Sequence, residues 1–377
     1  MLRGRCEQIV ERISLEELQI VTRIFAELLA HVNIAERHHR WRRWCMYKRG
    51  ETPLLHFSDG QDHQASDCFK MLISAGFSPA KIYESLCNQN LELVFTAHPT
   101  QSVRRSILKK FSMLDHYLDT RDHQDDMMTP LMRERLFMRM QQTLVGIWRT
   151  NHMRKVKPTP EDEARYGLSV VEETLWYAVP EHYRIVDDAL RKIGQPSLPM
   201  NSKLMTLGSW MGGDRDGNPF VTHDITKRIV YLSQMRACKL YLNEINQLVW
   251  DLSMPGPLSP ELQAWMDAQM EQRREDDIYL AKERGDEVGA EREGDQRQHM
   301  DFYRMDQTTE EPYRQILVRV RTILESTILR CEALSIGREP PLTGYYFKKT
   351  EDLMAPLHLM YPPLPPRTKW TRRVPHP

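Results

Sequence analysis

Neither sign of charge is in excess: 52 lysines and arginines balance 52 aspartates and glutamates over 377 residues. That excludes the broad basic field on which a nucleic-acid-binding chain relies. No apolar run approaches the roughly 18 residues of a membrane span, so no membrane partner is expected. The N-terminus has no apolar secretion core, and Glu7, Glu11, Glu16 and Glu17 are unlike an acid-poor transit peptide. A cytoplasmic location is expected. The cysteines, Cys6, Cys45, Cys68, Cys87, Cys238 and Cys331, contain no CxxC pair. They read as reduced thiols rather than a zinc site or a disulfide framework. Glycine is scarce, at 17 residues, and the abundant Leu, Met, Glu and Arg favour helix.

What is present is a succession of helical patterns broken by two short strand patterns. Residues 7–47 read as a helix with Ile20, Ile24, Ala26, Leu28 and Val32 as its apolar stripe, ending in a solvated basic turn, ERHHRWRRW. NLELVF reads as a short buried strand, followed by a helix over 102–118. Thr129 before Pro130, and Thr159 before Pro160 with Asp162 beyond, are helix-start signals. The first of these helices has Leu136, Met140, Leu144 and Ile147 as its buried stripe. KLMTLGSW resembles a second strand, and Thr222 caps a long helix with Ile225, Ile229, Leu232, Leu242, Ile245 and Leu248 at helical spacing. Between Glu271 and Asp301 more than half the residues are charged, which predicts a solvated insertion, partly helical or disordered. The last 17 residues contain six prolines and no apolar period.

Two stretches concentrate chemistry. In LVFTAHPTQSVRRS, Leu93–Ser106, a strand pattern runs into His98, and Pro99 holds that histidine extended. An imidazole leaving a strand end can move a proton near neutral pH; a structural histidine is the competing reading. Arg104 and Arg105 open the next helix, a place suited to an anion, or to an exposed basic turn. In GSWMGGDRDGNP, Gly208–Pro219, four glycines accompany Asp214, Arg215, Asp216 and Asn218. With Asp214 counted as the first position, glycine falls at the fourth and Ile225 at the twelfth, so this is not a calcium loop. A polar turn with internal ion pairs and a site loop both fit.

Together, TAHPTQSVRRS and SWMGGDRDGNP resemble the two N-terminal motifs of phosphoenolpyruvate carboxylases. RTNHMRKVKPTPEDEARYG, EETLWYAVPEHYRIVDDALRKIG and EPYRQILVRVRTIL are similar to plant and algal members, in the same order. The likeness spans about 20–360. It implies a mainly α-helical chain with a few short parallel strands, the N-terminal part of a helix-rich β/α barrel, over residues 1–360. Residues 361–377 form a Pro-rich tail outside the family pattern.

The resemblance further implies carboxylation of phosphoenolpyruvate with bicarbonate to oxaloacetate and phosphate, through carboxyphosphate and an enolate, in a cytosolic homotetramer using Mg²⁺ or Mn²⁺. It places the catalytic histidine on His98 and the CO₂-pocket tryptophan on Trp210. A sugar-phosphate effector falls to Arg104, Arg105, Arg154 and Arg314. Asp214, Arg215, Asp216 and Asn218 fall in a loop bracing the strand ends. The family's metal carboxylates, catalytic lysine and Gly-rich mobile loop belong to a later half with no match here. The expectation is therefore a truncated chain, inactive alone, produced by an intron, a frameshift or a gene-model error. The alternative is a non-catalytic module that binds a sugar phosphate or full-length subunits.

Overall fold

The computed structural model describes residues 13–48, 65–96, 104–124, 127–151, 158–199, 201–284, 311–341 and 345–360. His98, Arg154, the end of the charged stretch and the Pro-rich tail lie outside them. In chain order the elements are α1 (Leu15–Lys48), α2 (Ala65–Ser74), α3 (Pro79–Cys87), β1 (Leu91–Phe95), α4 (Arg105–Gln124) and α5 (Pro130–Arg149). Next come α6 (Pro160–Val170), a π-helical turn (Val171–Leu175), α7 (Trp176–Lys192), β2 (Met205–Ser209) and α8 (His223–Asp251). Finally come α9 (Pro260–Arg284), α10 (Pro312–Ser335) and α11 (Thr350–Met360). The chain is thus helix-rich, with two short parallel strands among the described residues. Helix α9 carries the charged stretch as far as Arg284. The described cysteines, Cys45, Cys68, Cys87, Cys238 and Cys331, are free thiols.

The helix starts follow local chemistry. Thr129 accepts from Met132 N, with Pro130 next. Thr159 and Asp162 form a reciprocal capping box, which satisfies two donors that the first turn leaves orphaned. Its hydrogen bond from the Thr159 backbone N–H is the main reason the Asp162 carboxyl is held below its usual range. Thr222 accepts from Ile225 N. Helix α1 begins at Leu15 because Ser14 and Glu17 cap it: Ser14 N donates to Glu17 Oε2 at 2.9 Å and Glu17 N to Ser14 Oγ at 3.3 Å.

The described residues fall into two compact units. One is drawn from Met1–Pro79 and His98–Lys157, the other from Ala80–Ala97 and Pro158–Pro377. In the second unit α8 packs along α10. Leu232, Met235, Ile245 and Val249 meet Ile316, Leu317, Val320, Ile323 and Leu324, with Phe347, Leu353 and Met360 closing the cluster. Thr327, fully buried, donates to Ile323 O at 2.7 Å and accepts from Phe347 N at 3.0 Å. Its hydroxyl therefore costs the core little.

In the first unit α4 packs against both α1 and α5. Ile34, Leu114 and Ile147 form its small core. Leu136 and Met140 are half-buried on α5 as the spacing predicts, while Leu144 points outward. Helix α1 corrects the sequence reading. Its predicted core stripe, Ile20, Ile24, Ala26, Leu28 and Val32, is exposed, and Glu27, Ile34 and His38 are buried instead. The cause is polar: His38 Nε2 lies 2.9 Å from Asp122 Oδ2, and Arg37 pairs with Asp115 at 3.0 Å. Burial raises the Asp122 pKa, but hydrogen bonds from His38 and Arg121 outweigh this and hold it below the usual carboxylate range. By length and composition α1 is also apolar enough to cross a membrane, with a mean hydropathy of 1.3 and 11% of that window buried. Arg23 and Glu27 interrupt the apolar run in sequence, yet they pair with each other at 3.3 Å.

Candidate functional site

Strands β1 and β2 pair in parallel, with Leu91 opposite Met205 and Phe95 opposite Ser209. Leu91 N donates to Leu204 O at 3.1 Å, and Trp210 N to Phe95 O at 2.8 Å, so the ladder continues past both strand ends. Both motif segments therefore leave from the same end of the sheet, the C-terminal one, where α/β scaffolds place their chemistry. His98 lies outside the described residues, three positions after Phe95 in the sequence.

The strands are present where the sequence predicts, but β1 is not buried. Leu91, Leu93 and Val94 are 48%, 39% and 40% exposed, and Leu207 on β2 is 41% exposed. Among the described residues only these two strands pair, and the side chains of Leu91, Leu93, Val94 and Leu207 stay exposed.

The loop after β2 is anchored from below and open above. Met211, Ala164 of α6 and Ile229 of α8 form a buried cluster, with Phe95 and Ile225 packed against it. Two glycines make this approach possible. A Cβ on Gly167 would lie 2.0 Å from Met211 Cε, and one on Gly212 would lie 2.0 Å from Ile229 Cδ1. Trp210 sits at the rim, 53% exposed. Its carbonyl accepts from both Gly213 N and Asp214 N at 2.9 Å.

Asp214, Arg215, Asp216 and Asn218 are all exposed. Of the two readings, the internal ion pairs are not what holds this turn: among the described residues no ion pair engages Asp214, Arg215 or Asp216. Backbone geometry does that work. Asn218 N donates to Arg215 O at 2.6 Å, and Asn218 Oδ1 accepts from Phe220 N at 3.0 Å. Asp216 and Gly217 both take positive φ, 40° and 71°. Asp tolerates that region better than a bulkier side chain does. The result is a fixed turn in which the Asp214, Arg215 and Asp216 side chains are exposed.

The predicted effector arginines divide between the units. Arg104 sits just before α4, its carbonyl accepting from Ile107 N at 2.9 Å, and exposed Arg105 is the first helical residue. Arg314 belongs to the other unit. Its Nη1 lies 2.8 Å from Glu311 Oε2 and its guanidinium 5.5 Å from the Trp250 ring centroid. Its Nε is buried without a hydrogen-bond partner among the described residues. Hydrogen bonds from Ser253 and then Arg314 hold the Glu311 carboxyl below its usual range. Further along α10, burial lowers the pKa of Arg321, and the Arg314 charge adds to that. Sequence reasoning missed the Glu311–Arg314 contact, although its three-residue spacing on a helix start was a readable signal. Among the described residues, no three His, Cys, Asp or Glu side chains gather as a metal ion requires. Among the described residues the donors do not fit Mg²⁺ or Mn²⁺.

The sequence profile of the phosphoenolpyruvate carboxylase family matches residues 2–370. Phosphoenolpyruvate carboxylase 4 of Arabidopsis thaliana is 38% identical over 244 residues, 65% of this chain and 22% of that protein. The phosphoenolpyruvate carboxylase of Marinobacter nauticus is 33% identical over 357 residues, 95% of this chain and 34% of that protein. Phosphoenolpyruvate carboxylase 3 of Sorghum bicolor is 36% identical over 342 residues, 89% and 32% of the two chains. The chain thus spans between 22% and 34% of the length of these curated relatives. On these matches, and with both motifs leaving one end of a parallel strand pair, the chain belongs to the phosphoenolpyruvate carboxylase family.

Proposed function

We propose that these residues serve the carboxylation of phosphoenolpyruvate by bicarbonate, and that the isolated chain does not turn over by itself. The supporting observation is the register of β1 with β2, which brings the ends of both motif strands together. In this reading a bicarbonate oxygen attacks the phosphorus, the enol P–O bond breaks, and carboxyphosphate and an enolate form. His98 accepts the carboxyl proton of carboxyphosphate and steadies the departing phosphate oxygen. The C–O bond then breaks to give CO₂ and phosphate, and the enolate carbon captures the CO₂ as oxaloacetate. Trp210 supplies an apolar wall that suits uncharged CO₂ and keeps water from protonating the enolate. Its half-exposed ring beside the strand ends is compatible with that task.

The test uses two proteins in a malate dehydrogenase-coupled assay with phosphoenolpyruvate, bicarbonate and Mg²⁺. The chain alone is expected to give no oxaloacetate. A graft joining residues 1–360 to the remaining two thirds of the Marinobacter nauticus protein is expected to give it. Turnover by the chain alone, or a folded graft without turnover, contradicts the proposal.

A further inference from the structure

We propose that Thr226, near the start of α8, is a positioning residue for Trp210: its hydroxyl locks the peptide unit that holds the tryptophan in place. The inference rests on the carboxylation reading for what Trp210 does, and on the loop's geometry alone for how it is held. Thr226 Oγ1 donates to Gly212 O at 2.6 Å, across 14 positions of chain. The peptide that carries the Gly212 carbonyl also carries the Gly213 N–H, which donates to Trp210 O at 2.9 Å. A peptide unit is planar, so its carbonyl and its N–H turn together. Holding one therefore aims the other. Trp210 N in turn donates to Phe95 O at 2.8 Å. Both backbone polar groups of Trp210 are thus engaged, one by the end of β1 and one by the peptide that Thr226 holds.

A helical threonine often bonds back to the carbonyl four residues earlier, and Thr226 Oγ1 does lie 3.1 Å from Thr222 O. The hydroxyl has only one proton to give. Thr222 O already accepts the Thr226 N–H at 3.0 Å, and Gly212 O is the nearer oxygen. The proton therefore goes to Gly212 O. The lock is needed because Gly212 has no side chain to anchor it and sits at φ +70°, on a part of the backbone map that glycine enters and leaves freely. Without a donor on its carbonyl, the peptide between Gly212 and Gly213 is free to rotate and carry the Gly213 N–H away from Trp210. The anchor itself is rigid. Ile229, one turn further along α8, is buried with Met211 and Ala164, and Leu232 and Met235 beyond it belong to the core shared with α10.

The consequence follows from how Trp210 stands. Its ring is half-exposed, so packing alone does not fix it and its backbone decides where it lies. An apolar wall excludes water only from the place it occupies. In the proposed reaction the enolate carbon can take either of two electrophiles, CO₂ or a proton from water. Capture of CO₂ gives oxaloacetate. Capture of a proton gives pyruvate, while carboxyphosphate still breaks to CO₂ and phosphate, and that CO₂ takes up the hydroxide left by water to return bicarbonate. Phosphate is released on either path. A displaced Trp210 therefore changes the partition between the two products more than the rate at which phosphate appears.

The first measurement uses the full chain and no substrate: hydrogen exchange by mass spectrometry on peptides spanning residues 208–216. Thr226→Val keeps nearly the same shape and removes the donor, so exchange there should quicken by about fivefold, the factor that one neutral hydrogen bond carries. Thr226→Ser keeps the hydroxyl and should exchange like the parent. Peptides from α10 should be unaltered in all three proteins; if valine disturbs them, Thr226→Ala is the donor-free variant instead. The second measurement uses the graft, with malate dehydrogenase trapping oxaloacetate before it can lose CO₂ and lactate dehydrogenase reading pyruvate. Phosphate release by the donor-free variant should stay near the parent's while the ratio of pyruvate to oxaloacetate rises several-fold, and Thr226→Ser should return it. Three results overturn the proposal: unaltered exchange over 208–216 in the donor-free variant, a serine variant that behaves like the donor-free one, or oxaloacetate and pyruvate changing in equal proportion. A parent graft that makes no oxaloacetate defeats the carboxylation reading instead, and the exchange measurement still decides whether Thr226 holds the turn.

Discussion

Replacing His98 by alanine in the graft should lower turnover by about 10²–10⁴-fold, the usual contribution of a positioned proton-transfer group. The expectation follows from His98 following β1 and from β1 ending beside Trp210. An imidazole there can take the carboxyl proton of carboxyphosphate and hold the oxygen that leaves with phosphorus; alanine can do neither. The Michaelis constant for phosphoenolpyruvate should change far less than turnover, because the lost interaction belongs to steps after binding. His98→Asn separates the roles, since it retains a hydrogen-bond donor but cannot move a proton at neutral pH. Steady-state kinetics of the three proteins decide the matter. An alanine variant with unaltered turnover would remove His98 from the chemistry.

Gly212→Ala should destabilise the second unit by about 3 kcal/mol, from two causes acting together. The residue has φ +70°, where a Cβ is strained, and that Cβ would stand 2.0 Å from Ile229 Cδ1 and 3.1 Å from its Cγ1. Ile229 is 6% exposed and part of the cluster with Ala164 and Met211, so it has little room to turn. Gly217 is the control. Its φ is +71° but nothing lies within 4 Å of its would-be Cβ, so Gly217→Ala carries the strain alone, about 1 kcal/mol. Urea unfolding followed by tryptophan fluorescence compares the two. Ile229→Val in the Gly212→Ala background should recover part of the loss. Equal costs at Gly212 and Gly217 would show that Ile229 does not press on the loop.

The contrast between these glycines illustrates what could be read in advance. Capping is local, so Thr129, Thr159 and Thr222 announced their helices within four residues. The Ser14–Glu17 box was just as local, and an apolar period extended back to residue 7 concealed it. Periodicity located the stripe on α1 but not the side that packs. That choice was made by His38 and Asp122, 84 residues apart in the chain. Likewise, β1 reads as a strand from its own residues, whereas its burial depends on neighbours that its residues do not encode. At the site, the polar residues of GGDRDGN were legible as a concentration. The means of holding them was not, because Asp216 at positive φ and the hydrogen bond from Asn218 N to Arg215 O are properties of the folded turn.

The proposed carboxylation is tested most directly by following oxygen. With ¹⁸O-labelled bicarbonate and unlabelled water, the graft should release phosphate carrying one ¹⁸O, because the attacking bicarbonate oxygen stays on phosphorus when carboxyphosphate breaks down. The other two labelled oxygens should appear in the new carboxylate of oxaloacetate. Mass spectrometry of the phosphate, quenched before bicarbonate exchanges with water, reads the result. Unlabelled phosphate formed alongside oxaloacetate would show that phosphorus is attacked by water, and would contradict the chemistry assigned to His98 and Trp210.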